Sequence, residues 1–207
     1  PYTIAMVPTM LRRMLEVVPE NFNSGTKIIA TSGEALPPKV VRETQEKFGD
    51  VLYNLYGSTE VSWASIATPE DLRKHINTAG KPPMATTLKV LDDNGNELPN
   101  GEIGRIFVKN DMLFEGYTRP GSDKEIIDGM VATGDLGYYN DEGLLFISGR
   151  SDDMIVSGGE NVFPQETEDV INSMDCVAES AVRGVDDPEF GQALCAWVVP
   201  EGKSAAE

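Results

Sequence analysis

Histidine is nearly missing from this chain: His75 is the single one in 207 residues, and cysteine stops at Cys176 and Cys195. With one histidine, and two cysteines that lack metal-ligand spacing, a histidine-based triad and a zinc site are both nearly ruled out. Two cysteines without ligand spacing suit a reducing compartment, and the expected location is cytoplasmic, at most peripheral to a membrane. Positive charge is scarce as well. Lysine and arginine total 17 against 34 acidic residues, a formal charge of −17. That field excludes a general affinity for nucleic acid or an anionic membrane, although local glycine amides and single arginines can still bind a phosphate. No apolar run approaches the ~20 residues of a membrane span, and no basic-then-apolar leader is present.

What remains is ordinary globular composition, 40% hydrophobic and 25% charged, with length enough for a sizeable core. "PTMLRRMLEVV" (8–18) spaces Met10, Leu11, Met14, Leu15 and Val18 as a helix face. "TKIIATSGEAL" (26–36) reads as a short buried strand at Ile28 to Ala30 entering a glycine loop. "PPKVVRETQEKFG" (37–49) reads as a helix that starts on proline, aligns Val41, Thr44 and Phe48, and ends at Gly49. "VLYNLYG" (51–57) is a second strand that breaks at Gly57. This succession predicts a mostly parallel α/β sheet. From about Thr86 the pattern becomes short strands: "TLKVLDDNGNELP" with a hairpin signal at Asp-Asn-Gly, then "GEIGRIFVKN" and "GLLFISGR". The polar "SDD" after Arg150 marks a linker. "VFPQETEDVINSM" (162–174) predicts a helix with Glu166, Glu168 and Asp169 complementing its dipole, and "VAESAVRGV" and "ALCAWVVPEG" predict closing strands.

Four loops carry candidate chemistry. In "YNLYGSTEVSW" (53–63), Tyr56 offers a ring to a purine and Gly57 a bare backbone step. Thr59 offers a hydroxyl to a phosphate, and Glu60 a carboxylate to Mg²⁺. In "TSGEAL" (31–36), the peptide groups of Gly33 to Ala35 could read an adenine edge. "VATGDLGYYNDEG" (131–143) puts Asp135 on an expected tight, glycine-flanked turn, where a fixed acceptor suits a ribose diol. "SGRSDDMIVSGGENVFP" (148–164) supplies Arg150 for ribose or phosphate, and Gly158 and Gly159 for a narrow thiol chain. Taken singly, each stretch reads better as an ordinary turn.

Taken together, in order, they resemble the adenylate-forming superfamily of acyl-CoA synthetases, peptide-synthetase adenylation domains and firefly-type luciferases. The motifs are "YGSTE" (56–60), "GEIG" (101–104), "TGD" (133–135) and "GRSDD…SGG" (149–159), and the likeness runs from about Val7 to the end. The fold class so implied is α/β, mixed. Residues 1–78 would be the α/β part of a large domain, 79–150 a β-rich, barrel-like subdomain, and 151–207 the hinge and part of a small α+β domain. The resemblance implies that a carboxylate attacks the α-phosphate of Mg·ATP and that coenzyme A then displaces AMP. It assigns the nucleotide to Gly33, Glu34, Ala35, Asn54, Tyr56, Gly57, Ser58, Thr59, Asp135 and Arg150. Thr59 and Glu60 would serve catalysis, with Glu60 the metal ligand. Asp152 would be the hinge, and Gly158, Gly159 and Glu160 would line the coenzyme A path.

The family's upstream phosphate loop and its C-terminal lysine motif have no counterpart in this stretch, which therefore resembles a fragment. "SGGENVFPQETED" (157–169) is similar to fatty-acid–CoA ligases, and no acid stands in "IAMVPTM" (4–10), where amino-acid-activating relatives carry one. Val61, Trp63 and Ala64 are expected to give the acid pocket an apolar character, which favours an alkyl or aryl acid over a polar one, and the expected substrate is a medium- or long-chain fatty acid. The alternatives are an adenylation domain loading an aryl or amino acid onto a carrier protein, and a nucleotide-binding fragment without catalysis.

Overall fold

The computed structural model describes residues 2–19, 22, 25–118, 124–174 and 176–201. It divides into two compact units, one of Pro1–Thr133 with Gly137–Ile147, the other of Gly134–Leu136 with Ser148–Glu207.

The first unit opens with a four-stranded sheet in the order β1 (Tyr2–Met6), β2 (Thr26–Ser32), β3 (Leu52–Ser58) and β4 (Ser62–Ala67). The first three strands are parallel and β4 returns antiparallel to β3. Helix α1 (Pro8–Val17) crosses from β1 to β2, and α2 (Pro38–Phe48) from β2 to β3. Each starts on a proline whose fixed φ suits the first turn. Gly49 closes α2 at φ 75°, a conformation open to glycine, with its amide on the Gln45 carbonyl. Leu11 and Leu15 of α1 pack with Val40 and Val41 of α2 over Ile29 and Leu52. A short helix α3 (Pro69–Lys74) is held by a reciprocal cap between Thr68 and Asp71.

A five-stranded sheet follows: β5 (Thr87–Leu91), β6 (Gly104–Lys109), β7 (Ile126–Ile127), β8 (Met130–Tyr139) and β9 (Leu145–Arg150), ordered β5-β6-β8-β7 with β9 also on β8. Its core gathers Val61, Ala64, Leu88, Val90, Ile106, Val108, Val131 and Leu145. Tyr139 lies against this core, its hydroxyl donating to the Leu88 carbonyl at 3.4 Å, and burial pushes its pKa up to about 12. The neutral phenol therefore stabilises the fold fully below the ordinary value near 10, and that contribution is lost as pH rises through about 12. Ultraviolet titration should show one late tyrosine that disappears in Tyr139→Phe; six tyrosines ionising together would contradict it.

The second unit contains a 3₁₀ turn (Ser151–Asp153) and a sheet ordered β11 (Glu160–Val162), β10 (Ile155–Ser157), β13 (Gly191–Pro200) and β12 (Val177–Asp187), paired antiparallel throughout. Helix α4 (Pro164–Asn172) packs on β12. No helix among the described residues is long and apolar enough to cross a membrane.

Several expectations change. The Asp-Asn-Gly turn after β5 closes only a single bridge, Leu91 to Glu97, and β5 instead pairs along its length with β6. The stretch after Glu60 is a strand, β4, not a loop. Val61 and Ala64 are fully buried core residues and so do not line a pocket, whereas Trp63 is half exposed. Asp135 sits inside strand β8, not on a turn; Gly134 at φ 88° kinks the strand there. Glu168 is committed to the Val182 amide at 2.7 Å and Asp169 accepts from Gln165 at 3.0 Å, so neither is simply a dipole partner. The last residue of "ALCAWVVPEG", Gly202, lies outside the described residues.

Candidate functional site

Parallel strands β1, β2 and β3 end at Met6, Ser32 and Ser58 on one edge of their sheet; the loops after β2 and β3 carry Gly33, Glu34, Ala35, Thr59 and Glu60, and β3 itself carries Asn54, Tyr56, Gly57 and Ser58. This is the edge at which open α/β sheets receive ligands. In the β2 loop, Gly33 adopts φ 96°, and a Cβ there would meet Val7 Cγ1 at 3.6 Å, so backbone conformation rather than space calls for glycine. Glu34 is exposed and accepts a hydrogen bond from Thr9 Oγ1 at 2.8 Å. Asn54, half-buried on β3, donates through Nδ2 to the Thr78 carbonyl at 3.4 Å.

The β3–β4 turn is narrow. A Cβ on Gly57 would lie 1.9 Å from the Ser62 carbonyl oxygen, so its own hairpin already demands this glycine. The ladder shifts register between Tyr56 and Gly57, as a bulge does. Thr59 is exposed at the tip. Glu60 beside it is mostly covered, and its amide donates to Ser58 Oγ at 3.3 Å. Tyr117 Oη donates to Glu60 Oε1, and Lys124 Nζ stands 4.0 Å from the same oxygen. Burial pushes the Glu60 pKa up, but the hydrogen bonds from Ser58 and Tyr117 and the charge of Lys124 outweigh it, and the net shift is downward. The carboxylate is therefore ionised at neutral pH. From the other side, Asn110 Nδ2 donates to the Val61 carbonyl at 2.8 Å, and the Phe114 amide to the Glu60 carbonyl at 3.0 Å.

An ionised carboxylate oxygen on a rigid turn is a suitable donor for a hard divalent cation. Among the described residues no group of three or more histidine, cysteine, aspartate or glutamate side chains forms a protein cage. Glu60 could supply one oxygen to a hard divalent cation whose other oxygens come from outside these side chains.

In the second unit, Asp135 and Arg150 are brought together, with Arg150 Nε 3.6 Å from Asp135 Oδ1. Asp135 is mostly covered and Arg150 half exposed. Ser151 Oγ donates to the Gly134 carbonyl at 3.1 Å and ties the 3₁₀ turn to the kink in β8. Asp152 lies exposed in that turn. Gly158 and Gly159, at φ 59° and 89°, form a two-residue hairpin loop between Ser157 and Glu160, a conformation that strongly favours glycine at both positions. The Gly158 amide donates to the Phe190 carbonyl at 2.9 Å, and Glu160 is exposed.

Tyr117, Lys124 and Asn110 escaped the sequence reading. Nothing in their spacing links them to Glu60; Tyr117 lies 57 residues downstream of it. The available signal was the Gly-Tyr pair of "FEGYT" downstream of the strand with "RIFV", and it names no partner.

Comparison with known proteins places these loops in context. Residues 1–118 match the family model described as AMP-binding enzyme, and residues 166–207 the one described as AMP-binding enzyme C-terminal domain. The putative acyl–CoA ligase YdaB of Bacillus subtilis (strain 168) is 35% identical over 205 residues, 97% of this chain and 41% of that protein. The 2-succinylbenzoate–CoA ligase of Bacillus licheniformis is 37% identical over 204 residues, 96% of this chain and 42% of its own length. The o-succinylbenzoate CoA synthetase of Bacillus subtilis, solved with its acyl-adenylate intermediate, superposes with a TM-score of 0.88 at 32% identity, covering 98% of this chain and 42% of that one. The same enzyme solved with ATP and magnesium gives a TM-score of 0.86 at 32% identity, over 99% and 42% of the two chains. This chain spans about two-fifths of the length of the curated relatives it matches.

Proposed function

We propose, from the premise that this chain belongs to the AMP-binding enzyme family, that it is part of an AMP-forming carboxylic acid–coenzyme A ligase. The observation that carries the reading is the ionised, braced Glu60 carboxylate on a tight turn at the carboxyl edge of a parallel sheet. In the first half-reaction an oxygen of the substrate carboxylate bonds to the α-phosphorus of ATP while the α–β bridging P–O bond breaks and pyrophosphate leaves. In the second, the coenzyme A sulfur bonds to the acyl carbon, the bond to AMP breaks, and the thiol proton is released. Neither half needs a histidine; positioning and charge stabilisation carry the chemistry.

In this reading the Gly33–Glu34–Ala35 backbone and Asn54 border the adenine and Tyr56 stacks on it. Gly57 shapes the turn, and Ser58 and Thr59 address the phosphates. Glu60 holds Mg²⁺, which when bound neutralises phosphate charge. Asp135 with Arg150 takes the ribose, Asp152 serves as the hinge, and Gly158, Gly159 and Glu160 border the coenzyme A arm. The divisions at 78/79 and 150/151 go with this assignment as the proposed subdomain limits. The relative solved with ATP and magnesium supports the nucleotide and metal assignments.

Two acid classes are carried forward. The coenzyme-A-type "SGGENVFPQETED" stretch favours a medium- or long-chain fatty acid. A relative named for 2-succinylbenzoate favours an aryl acid; the burial of Val61 and Ala64 removes two of the three side chains that argued for an apolar wall and does not separate the two classes. The test is acid-dependent ATP–pyrophosphate exchange and coenzyme A-dependent AMP release by the full-length polypeptide, with fatty and aryl acids in parallel. We expect both reactions there, and little or no exchange from the 207-residue chain alone. Loading of a carrier protein without coenzyme A-dependent turnover would overturn the ligase reading.

A further inference from the structure

We propose that Tyr117 is a positioning residue for Glu60, presetting the carboxylate before a metal–nucleotide arrives; this rests on the reading of Glu60 as the metal ligand. Three contacts bind the segment containing Tyr117 to the β3–β4 turn. Asn110 Nδ2 donates to the Val61 carbonyl at 2.8 Å, the Phe114 amide donates to the Glu60 carbonyl at 3.0 Å, and Tyr117 Oη donates to Glu60 Oε1. Phe114 and Tyr117 also meet edge to face, with ring centroids 5.0 Å apart. Residues three apart thus grip the main chain and the side chain of the same glutamate.

Packing alone does not account for the arrangement. Tyr117 is 42% exposed, so its hydroxyl could be satisfied by water, yet it donates to a carboxylate. That carboxylate also faces Lys124, whose Nζ is 4.0 Å from the same Oε1 and donates to the Thr133 carbonyl at 3.3 Å. The hydrogen bond and the more distant ammonium both address Oε1, and the hydrogen bond favours one rotation of the group. A free glutamate must lose that rotamer freedom on binding a cation; one held by a charge-assisted hydrogen bond has already lost it. Partners that orient a metal-binding carboxylate commonly change metal affinity ~10–100-fold when removed.

The test is a titration of the full-length polypeptide with Mn²⁺ as the probe, read by electron paramagnetic resonance in the presence of a non-hydrolysable ATP analogue. Thermal unfolding without ligand is measured alongside. Tyr117→Phe keeps the ring and its contact with Phe114 and removes only the hydroxyl. It should weaken Mn²⁺ binding about tenfold while shifting the melting temperature little. A Tyr117→Phe protein with wild-type Mn²⁺ affinity, or with a lowered melting temperature and unchanged affinity, overturns the proposal. Glu60→Gln separates the two levels. If it abolishes the Mn²⁺ signal while Tyr117→Phe does nothing, only the positioning role fails. If Glu60→Gln itself binds Mn²⁺ like the wild type, the metal-ligand reading fails and takes this inference with it.

Discussion

Gly57→Ala is expected to lower the melting temperature by about 6–12 °C, which corresponds to ~3 kcal/mol for a chain of this size. The added Cβ would stand 1.9 Å from the Ser62 carbonyl oxygen, 2.9 Å from its carbon and 3.1 Å from Trp63 Cα. All three are backbone atoms, so no rotamer change relieves the clash. β4 would have to move away from β3, carrying Val61 and Ala64, both fully buried, out of the core they share with Val90 and Ile106. A control isolates the steric cause. Gly101→Ala places its Cβ in open space at φ 86°, so only the strain of a left-handed alanine is felt, ~1 kcal/mol. Thermal unfolding followed by circular dichroism should therefore rank Gly57→Ala well below Gly101→Ala. Equal melting temperatures would mean that β4 can give way, and the account of the turn would be wrong. The change should also displace the turn that presents Glu60, so acid activation by the full-length protein should fall with stability.

The hairpin shows why the sequence was only partly legible. Helices α1 and α2 could be read because proline and glycine punctuate them and their apolar spacing is helical. Strand β4, Ser-Trp-Ala-Ser-Ile-Ala, gave no such signal. Its small residues suit close burial, with Ala64, Ser65 and Ala67 covered, but they lack the β-branched alternation that marks a strand. Asp135 was misplaced for a related reason. Its flanking glycines look like a turn, yet Gly134 kinks a continuous strand, and Gly137 is needed because a Cβ there would come 2.3 Å from the Phe146 carbonyl. The motif residues Tyr56, Glu60, Asp135 and Arg150 could be named from order and resemblance. The brace of Tyr117, Lys124 and Asn110 could not, because tertiary contact alone relates it to the turn.

In the full-length polypeptide, Glu60→Gln should cut acid-dependent adenylation ~10²–10³-fold at fixed Mg²⁺, the scale of losing one preorganised charge-stabilising group. Glutamine keeps the shape and one carbonyl oxygen but removes the charge that makes the oxygen a strong ligand for a hard cation. Raising Mg²⁺ should restore part of the wild-type rate but none of the loss caused by Gly57→Ala, because the first defect is in affinity and the second in the scaffold. The pH dependence of stability gives an independent check. Burial raises the Glu60 pKa, but Ser58, Tyr117 and Lys124 outweigh it and leave the folded-state value below the ordinary 4.5. A carboxylate so lowered stabilises the fold above its unfolded pKa and loses that contribution as pH falls through the lower folded value. The melting-temperature gap between wild type and Glu60→Gln should therefore be flat above pH 4.5 and close below it. A gap that stayed constant into strong acid would show that Glu60 is held by shape rather than charge, and the cation site would lose its physical basis.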